Sequence, residues 1–358
     1  MADSQEFKCP CCGGAIVFDS TLQKLKCPYC DTEFETDAFD EYNKEKDEAD
    51  NMDWGMHAAK TWDAEDGDMK LFVCKSCGGE VIVDENTAAT SCPFCDNPIV
   101  FSGNVEGILK PKLIIPFKLD KKAAKESFRN HLKGKKLLPK VFKDENHFEE
   151  IKGIYVPYWI FDGKVNAKMQ YKGTKVRHWS DSRYNYTETS YYSVVRGGDI
   201  SFAHVPVDGS SRMADDLMES IEPFDFHEAV PFQKGYFAGY FADKYDVDAK
   251  KSEERANERM KNSASDEFRK TVNGYGTLVT ESGNMTLDDG EATYVMYPVW
   301  ILTTKWKHQL YTFAMNGQTG KFVGDLPEDK VLANKLFLGV MSGVSLVVFL
   351  FFLLMWFI

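Results

Sequence analysis

Eight of the nine cysteines fall into two copies of one spacing, and all nine lie before residue 96. Cys9-Pro-Cys-Cys12-Gly-Gly is followed, after fourteen residues, by Cys27-Pro-Tyr-Cys30; Cys74-Lys-Ser-Cys77-Gly-Gly is followed, again after fourteen, by Cys92-Pro-Phe-Cys95. A CxxC pair forms a tight knuckle with both thiolates facing one ion, and the Gly-Gly behind it permits the turn into a hairpin. Four soft thiolates suit zinc and leave no ligand position for water, so the chain is expected to hold two structural Zn2+, on Cys9, Cys12, Cys27 and Cys30 and on Cys74, Cys77, Cys92 and Cys95. Between the knuckles, Ala15-Ile-Val-Phe18 and Glu80-Val-Ile-Val83 read as short strands. Disulfides fit this duplicated pattern poorly in a chain whose amino terminus lacks a secretory signal, and redox use of CxxC wants a thioredoxin-like setting that is missing. Cys11, matched by Ser76 in the second copy, is either a spare thiol or an alternative ligand to Cys9 or Cys12.

The other constraint lies at the opposite end. Leu336 to Ile358 contains no charged residue, and at 1.5 Å per residue it reaches roughly 35 Å, enough for a hydrocarbon core. A single transmembrane helix over 335–358 is expected, with a buried core helix as the weaker alternative. Lys330 and Lys335 precede it and no charge follows, which places the bulk of the chain in the cytoplasm, the protein being held at the cell membrane by one pass. Gly339 and Gly343 form either a small-residue face for a second helix or ordinary glycines of a span.

The net charge is -12, which disfavours a protein that wraps nucleic acid with its whole surface. The linker over 37–70 is acidic and reads as a solvated helix or tether, with Trp54 and Trp62 as less favoured partner anchors. From 107 to 145 the balance reverses, twelve cationic residues opposing four acidic ones, or +8. A helix over Ala123–Leu132 would gather Lys121, Lys122, Lys125 and Arg129 on a face for anionic lipid, nucleic acid or an acidic partner, or leave it as solvated charge.

A fainter repeat follows. Ile115-Pro-Phe117, a charged helix and Tyr155-Val-Pro-Tyr-Trp-Ile160 are echoed by Val230-Pro-Phe232, a charged helix near Asp248–Lys270 and Tyr297-Pro-Val-Trp-Ile301. Prolines just before the aromatic runs imply strand starts. The expected fold is therefore multi-domain: zinc ribbon 1 (1–36), acidic linker (37–70), zinc ribbon 2 (71–106), two α+β halves (107–228 and 229–330) with internally repeated antiparallel sheets, and the transmembrane helix. Asn316-Gly-Gln-Thr-Gly320 reads as tight turns. No phosphate-loop, HExxH, GxSxG or dinucleotide motif is present, and no catalytic residue is assigned.

The paired knuckles, Tyr-Val-Pro-Tyr-Trp, Tyr-Pro-Val-Trp and Tyr311-Thr-Phe-Ala-Met-Asn-Gly-Gln-Thr-Gly-Lys321 together resemble the bacterial, mainly Firmicutes, membrane-anchored TFIIB-type zinc-ribbon proteins, sometimes labelled primosomal or helicase-like. The resemblance implies a membrane anchor that, with a second membrane protein, recruits a cytosolic SPFH-domain, virion-core-like protein and through it a phage-shock-protein-A homologue in the envelope stress response. The expected function is a non-enzymatic scaffold in contact with the lipid bilayer. The alternative is a nucleic-acid-binding, replication-associated protein, which the acidic charge makes the weaker expectation.

Overall fold

Long strands dominate the architecture of this chain, whose computed structural model describes residues 8–36, 50–56, 60–63, 68–84, 91–143 and 150–357. In chain order the strands are β1 (Val17–Asp19), β2 (Lys24–Lys26), β3 (Glu33–Phe34), β4 (Gly55–Met56), β5 (Met69–Val73), β6 (Glu80–Asp84), β7 (Val100–Asn104), β8 (Leu113–Ile114), β9 (Lys152–Ser180), β10 (Asn185–Asp208), β11 (Val230–Pro231), β12 (Phe241–Asp243), β13 (Thr277–Trp306), β14 (Gln309–Asn316) and β15 (Phe322–Gly324). The helices are α1 (Lys121–Leu132), α2 (Asp215–Ser220), α3 (Ala249–Lys270) and α4 (Lys330–Phe357). The residues divide into two compact units interleaved in sequence, 1–57, 160–207 and 249–293 in one and 58–159, 208–248 and 294–358 in the other, so each expected half contributes to both.

In the first unit, ribbon 1 forms its own antiparallel sheet β1-β2-β3, and Tyr191 of β10 packs on its core of Cys9, Cys11, Ile16 and Cys27. Helix α3 buries a narrow stripe of Ala249, Ala256, Met260 and Ala264, spacings that return to one helical face. Tyr171 donates to the Ser265 carbonyl and the Arg259 guanidinium to that of Pro206, tying α3 to the strands. Trp54 is buried against Phe161 and donates its ring N–H to Asn257, so it braces the body instead of offering a partner anchor. Asp181 sets the turn between β9 and β10: one carboxylate oxygen accepts from the Arg183 and Tyr184 amides, the other from the Tyr186 hydroxyl.

In the second unit, ribbon 2 is built into a larger sheet, in the order β9-β12-β6-β5-β7. The runs Ile154–Phe161 of β9 and Ala292–Leu302 of β13 are buried almost throughout, the pattern of strands covered on both faces. Helix α1, capped by the Asp120 carboxylate on the Ala123 amide, buries Ala124, Phe128 and Leu132 in a cluster with Phe142, Trp300 and Phe313. Trp62 is buried too, with Phe232 at its ring edge and the Lys110 ammonium over its face.

The internal repeat holds in three dimensions, with one correction to its members. β8 runs parallel to β13 with Leu113 opposite Val295 and Ile114 opposite Met296, and β12 runs parallel to β9 with Phe241 opposite Ile154 and Ala242 opposite Tyr155. Trp300 donates to the Leu119 carbonyl just before α1, and Trp159 donates to the Val247 carbonyl just before α3. Gly317 and Gly209 complete the match, each donating its amide to the proline carbonyl, Pro298 or Pro157, and each accepting two amides from the pre-helix segment with its own carbonyl. The structural counterpart of Ile115-Pro-Phe117 is therefore Asp243-Lys-Tyr245, whereas Val230-Pro231 pairs antiparallel with Leu113-Ile114. Each pre-helix segment docks on the hairpin of the opposite half.

Two further expectations change. Pro157 and Pro298 stand inside β9 and β13, not at their starts. Pro298 lies between the β8 pairing, which reaches Met296, and the β14 pairing, which begins at Val299; Pro157 lies just beyond the β12 pairing at Tyr155. A residue without an amide proton is tolerated where a strand changes partner. The sheets are mixed instead of purely antiparallel, because β8, β12 and β4 add parallel to long strands far away in sequence. Of the acidic linker, residues 37–49, 57–59 and 64–67 lie outside the described residues, as do the start of ribbon 1 at 1–7 and the stretch 85–90 within ribbon 2.

Candidate metal centres

All four knuckles share one backbone design. Gly13, Asp31, Gly78 and Asp96, each directly after the second cysteine of a pair, adopt left-handed φ values of 76°, 54°, 73° and 59°. Glycine enters that region freely, and aspartate is among the few other residues that do. The turn lets the first cysteine of each pair accept from that residue's amide and donate to the next residue's carbonyl, as in Gly13 to Cys9 to Gly14 and Asp96 to Cys92 to Asn97. The second glycine of Cys-Gly-Gly is also required, because a Cβ on Gly14 or Gly79 would sit 2.5 Å or 2.8 Å from the ring of Tyr29 or Phe94.

These turns gather the thiols into two quartets, Cys9, Cys12, Cys27 and Cys30, and Cys74, Cys77, Cys92 and Cys95, with all ligand atoms of a quartet within 4.8 Å of one another. The Sγ–Sγ distances of 3.6 Å (Cys9, Cys30), 3.5 Å (Cys12, Cys27), 3.5 Å (Cys74, Cys95) and 3.7 Å (Cys77, Cys92) are far beyond a disulfide bond. They match the roughly 3.8 Å edge of a tetrahedron with Zn–S bonds of about 2.3 Å. Each quartet could therefore hold one metal ion with its coordination sphere closed by sulfur.

The electrostatics of the two sites are alike. Burial raises Cys9 and Cys92 far above the ordinary thiol range. Burial also opposes ionisation of Cys30 and Cys95, but polar donors two residues on, Thr32 and Asn97, together with the neighbouring thiols, bring each down to about 7. Cys11 is buried beside the first quartet and is not one of its four members; its counterpart Ser76 accepts from Asn97.

The surroundings separate the two sites. Around ribbon 2, Arg212 donates through Nη1 and Nη2 to the Cys77 and Gly78 carbonyls at 2.6 Å and 3.2 Å. Lys152 donates to the Ser91 hydroxyl, the Cys92 carbonyl and Asp96. Lys244 pairs with Glu80 beside the β12–β6 ladder. With the two copies aligned by their cysteines, Val17, Phe18 and Tyr29 of ribbon 1 correspond to Ile82, Val83 and Phe94; the first three are 56%, 51% and 75% exposed, the others 2%, 1% and 7%.

The remaining sequence-derived candidates are placed but not brought together into a site. Lys121, Lys122 and Arg129 lie exposed on α1 and Lys125 is half-buried. Gly339 and Gly343 lie on α4, where an added Cβ would meet nothing within 4 Å. Helix α4 is long and apolar enough to cross a membrane from Lys330 to Trp356, and none of that stretch is buried in the protein. Sequence reasoning missed Arg212, Lys152, Thr32 and Asn97. The last two carried a signal in the polar residue two places after CPxC; the two cations, distant in the chain, carried none.

No family model matches this chain, and no solved structure matches it. Over 340 residues it is 30% identical to a Bacillus subtilis (strain 168) protein described as uncharacterized protein YdjG, an alignment covering 95% of this chain and 95% of that relative. Identity at this level across nearly the full length of both chains places the sequence in one family with that relative: it is a member of the YdjG family.

Proposed function

We propose that this protein is a membrane-anchored zinc-ribbon scaffold: α4 holds it at the cell membrane with its bulk in the cytoplasm, each quartet binds a structural Zn2+, and the ribbons capture soluble proteins. The observation that carries the proposal is the pairing of two sulfur-closed quartets, which leave a metal no position for substrate or water, with a carboxyl-terminal helix whose apolar side chains are exposed from Leu336 to Trp356. A metal held this way stiffens a platform and carries out no reaction. Ribbon 1 is the better candidate for capture, because Phe18 and Tyr29 offer a partner the kind of aromatic surface that anchors interfaces and that ribbon 2 buries internally. Resemblance to the TFIIB-type zinc-ribbon anchors suggests an SPFH-type protein as the direct partner and a phage-shock-protein-A-like protein recruited through it, beside a second membrane protein.

The test is fractionation of cells carrying Cys27→Ser/Cys30→Ser. The scaffold variant should stay in the membrane fraction while the SPFH-type partner moves to the cytosol. A partner that remains membrane-bound would remove ribbon 1 as the recruiter. Metal analysis of the purified chain should find about two zinc per molecule.

A further inference from the structure

The hairpin of β9 and β10 projects an arm that nothing in its own unit covers. Residues 175–189 are exposed without exception, on both faces of the two strands. A two-stranded ribbon in water is marginal on its own, so its shape has to come from contacts within it. Trp179 stacks on Tyr186 with ring planes 11° apart, and Tyr184 meets Tyr186 edge-on. The Arg177 guanidinium lies 5.4 Å from the Trp179 ring centre. Lys175 sits 5.1 Å and 5.2 Å from the rings of Tyr192 and Tyr275, and Lys172 lies 5.1 Å from Tyr191. Asp181 fixes the tip, as described above.

The arm and the strand ends behind it are also, like 107–145, basic within an acidic chain. Between 171 and 196, Lys172, Lys175, Arg177, Arg183 and Arg196 oppose only Asp181 and Glu188, a balance of +3 within a chain of -12. Tryptophan and tyrosine with cations beside them are the residues that settle at the headgroup level of a bilayer, ring towards the chains and charge towards phosphate. We infer that this arm is a second membrane contact, laying Trp179, Tyr184 and Tyr186 into the headgroup layer and Lys175, Arg177 and Arg183 onto anionic phospholipid. The inference rests on the membrane reading of α4, which tethers the chain to a bilayer. The rings, not the sign of charge, select lipid over the protein's own acidic segments, because those offer no apolar layer for them.

Tryptophan quenching by lipid brominated near the headgroup end of the acyl chain, with the full-length zinc-loaded protein mixed with or reconstituted into vesicles, separates the two membrane contacts. The difference between wild type and Trp179→Phe isolates the arm; the difference between wild type and Trp356→Phe isolates the tail helix. In vesicles of phosphatidylcholine with phosphatidylglycerol the Trp179 signal should be quenched at least about twofold more than in phosphatidylcholine alone, and high salt should reverse the gain. Lys175→Glu/Arg177→Glu should abolish the dependence on lipid charge, and Lys175→Arg/Arg177→Lys should keep it. A Trp179 signal insensitive to anionic lipid, one that follows the density of copies instead of lipid charge, or one protected by a single-stranded oligonucleotide but not by vesicles would overturn the inference. Quenching of Trp356 without Trp179 sinks the arm and leaves the anchor standing; the reverse removes the anchor and leaves the arm.

Discussion

Ribbon 1 and ribbon 2 have the same knuckles, the same left-handed turn residues and the same sulfur spacing, yet one stands as a separate three-stranded sheet and the other is a structural part of a larger one. The difference lies entirely outside the cysteines. In ribbon 2 the strand beside β6 is β12, supplied from more than 150 residues away, and Arg212 and Lys152 fasten the knuckle carbonyls to the same unit. In ribbon 1 the strand beside β1 is its own β2. A metal quartet specifies a knuckle; what becomes of the ribbon depends on which residues elsewhere in the chain are shaped to receive it.

The sharpest way to break this contrast is to remove one thiol from each copy. A structural zinc site contributes on the order of 10 kcal/mol to the fold around it. Cys92→Ser should therefore abolish cooperative melting of the second unit, whereas Cys27→Ser should cost one zinc and leave that transition in place; calorimetry with metal counting reads both. Equal damage from the two would make the contrast illusory. Next in size is the aromatic of the second knuckle: Phe94→Ser should lower stability by about 3–5 kcal/mol. Tyr29→Ser, at the matching but exposed position, should stay within about 0.5 kcal/mol while weakening partner capture.

Arg212→Ala tests the fastening itself. It leaves the Cys77 and Gly78 carbonyls without their donor, a loss of about 1–3 kcal/mol, and hydrogen exchange of the ribbon 2 amides should speed up towards ribbon 1 values. A further test lies at Asp243, on the strand that joins ribbon 2 to the unit. Its carboxyl is fully buried and neither oxygen completes a hydrogen bond; burial raises its pKa well above the carboxylate range. An acid whose folded pKa is raised favours the protonated form. It therefore weakens the fold as pH rises from the unfolded value of about 4 towards the folded one. Asp243→Asn should stabilise by about 1–2 kcal/mol near neutral pH and flatten this part of the pH dependence in denaturant titrations; an unchanged slope would mean the carboxyl has a partner after all.

Local chemistry was readable in the sequence wherever it is encoded locally. The quartets follow from spacing, α1 and α3 from charge and apolar period, and the apolar helix from composition. Trp159 and Trp300, matched across the repeat, read as core or interface aromatics, and both are buried. What escaped was long-range assignment. Pro-Phe in Val230-Pro-Phe232 looks like a copy of Ile115-Pro-Phe117, but the residues that occupy that place, Asp243-Lys-Tyr245, share no identity with it, because backbone pairing and one ring–carbonyl bond set the equivalence. Trp54 and Trp62 sit in an acidic context that suggested exposure; a ring N–H to Asn257 and a lysine over an indole, both distant partners, decide otherwise. The arm at 175–189 is visible only as an alternation of cations and aromatics, which any half-buried strand could share.

The exchange of pre-helix segments between the halves has a kinetic side. Leu119 meets Trp300 across 181 residues and Val247 meets Trp159 across 88, so the first half cannot finish its own hairpin during synthesis without waiting for residues that are made much later. Such distant closures are slow to form, and a nascent chain that must hold open strands while it waits invites chaperones to shield it. By this logic β9 remains incomplete until β12 has been made, and the pre-α1 segment unseated until Trp300 has, so the body closes only once most of the chain ahead of the apolar helix has been synthesised.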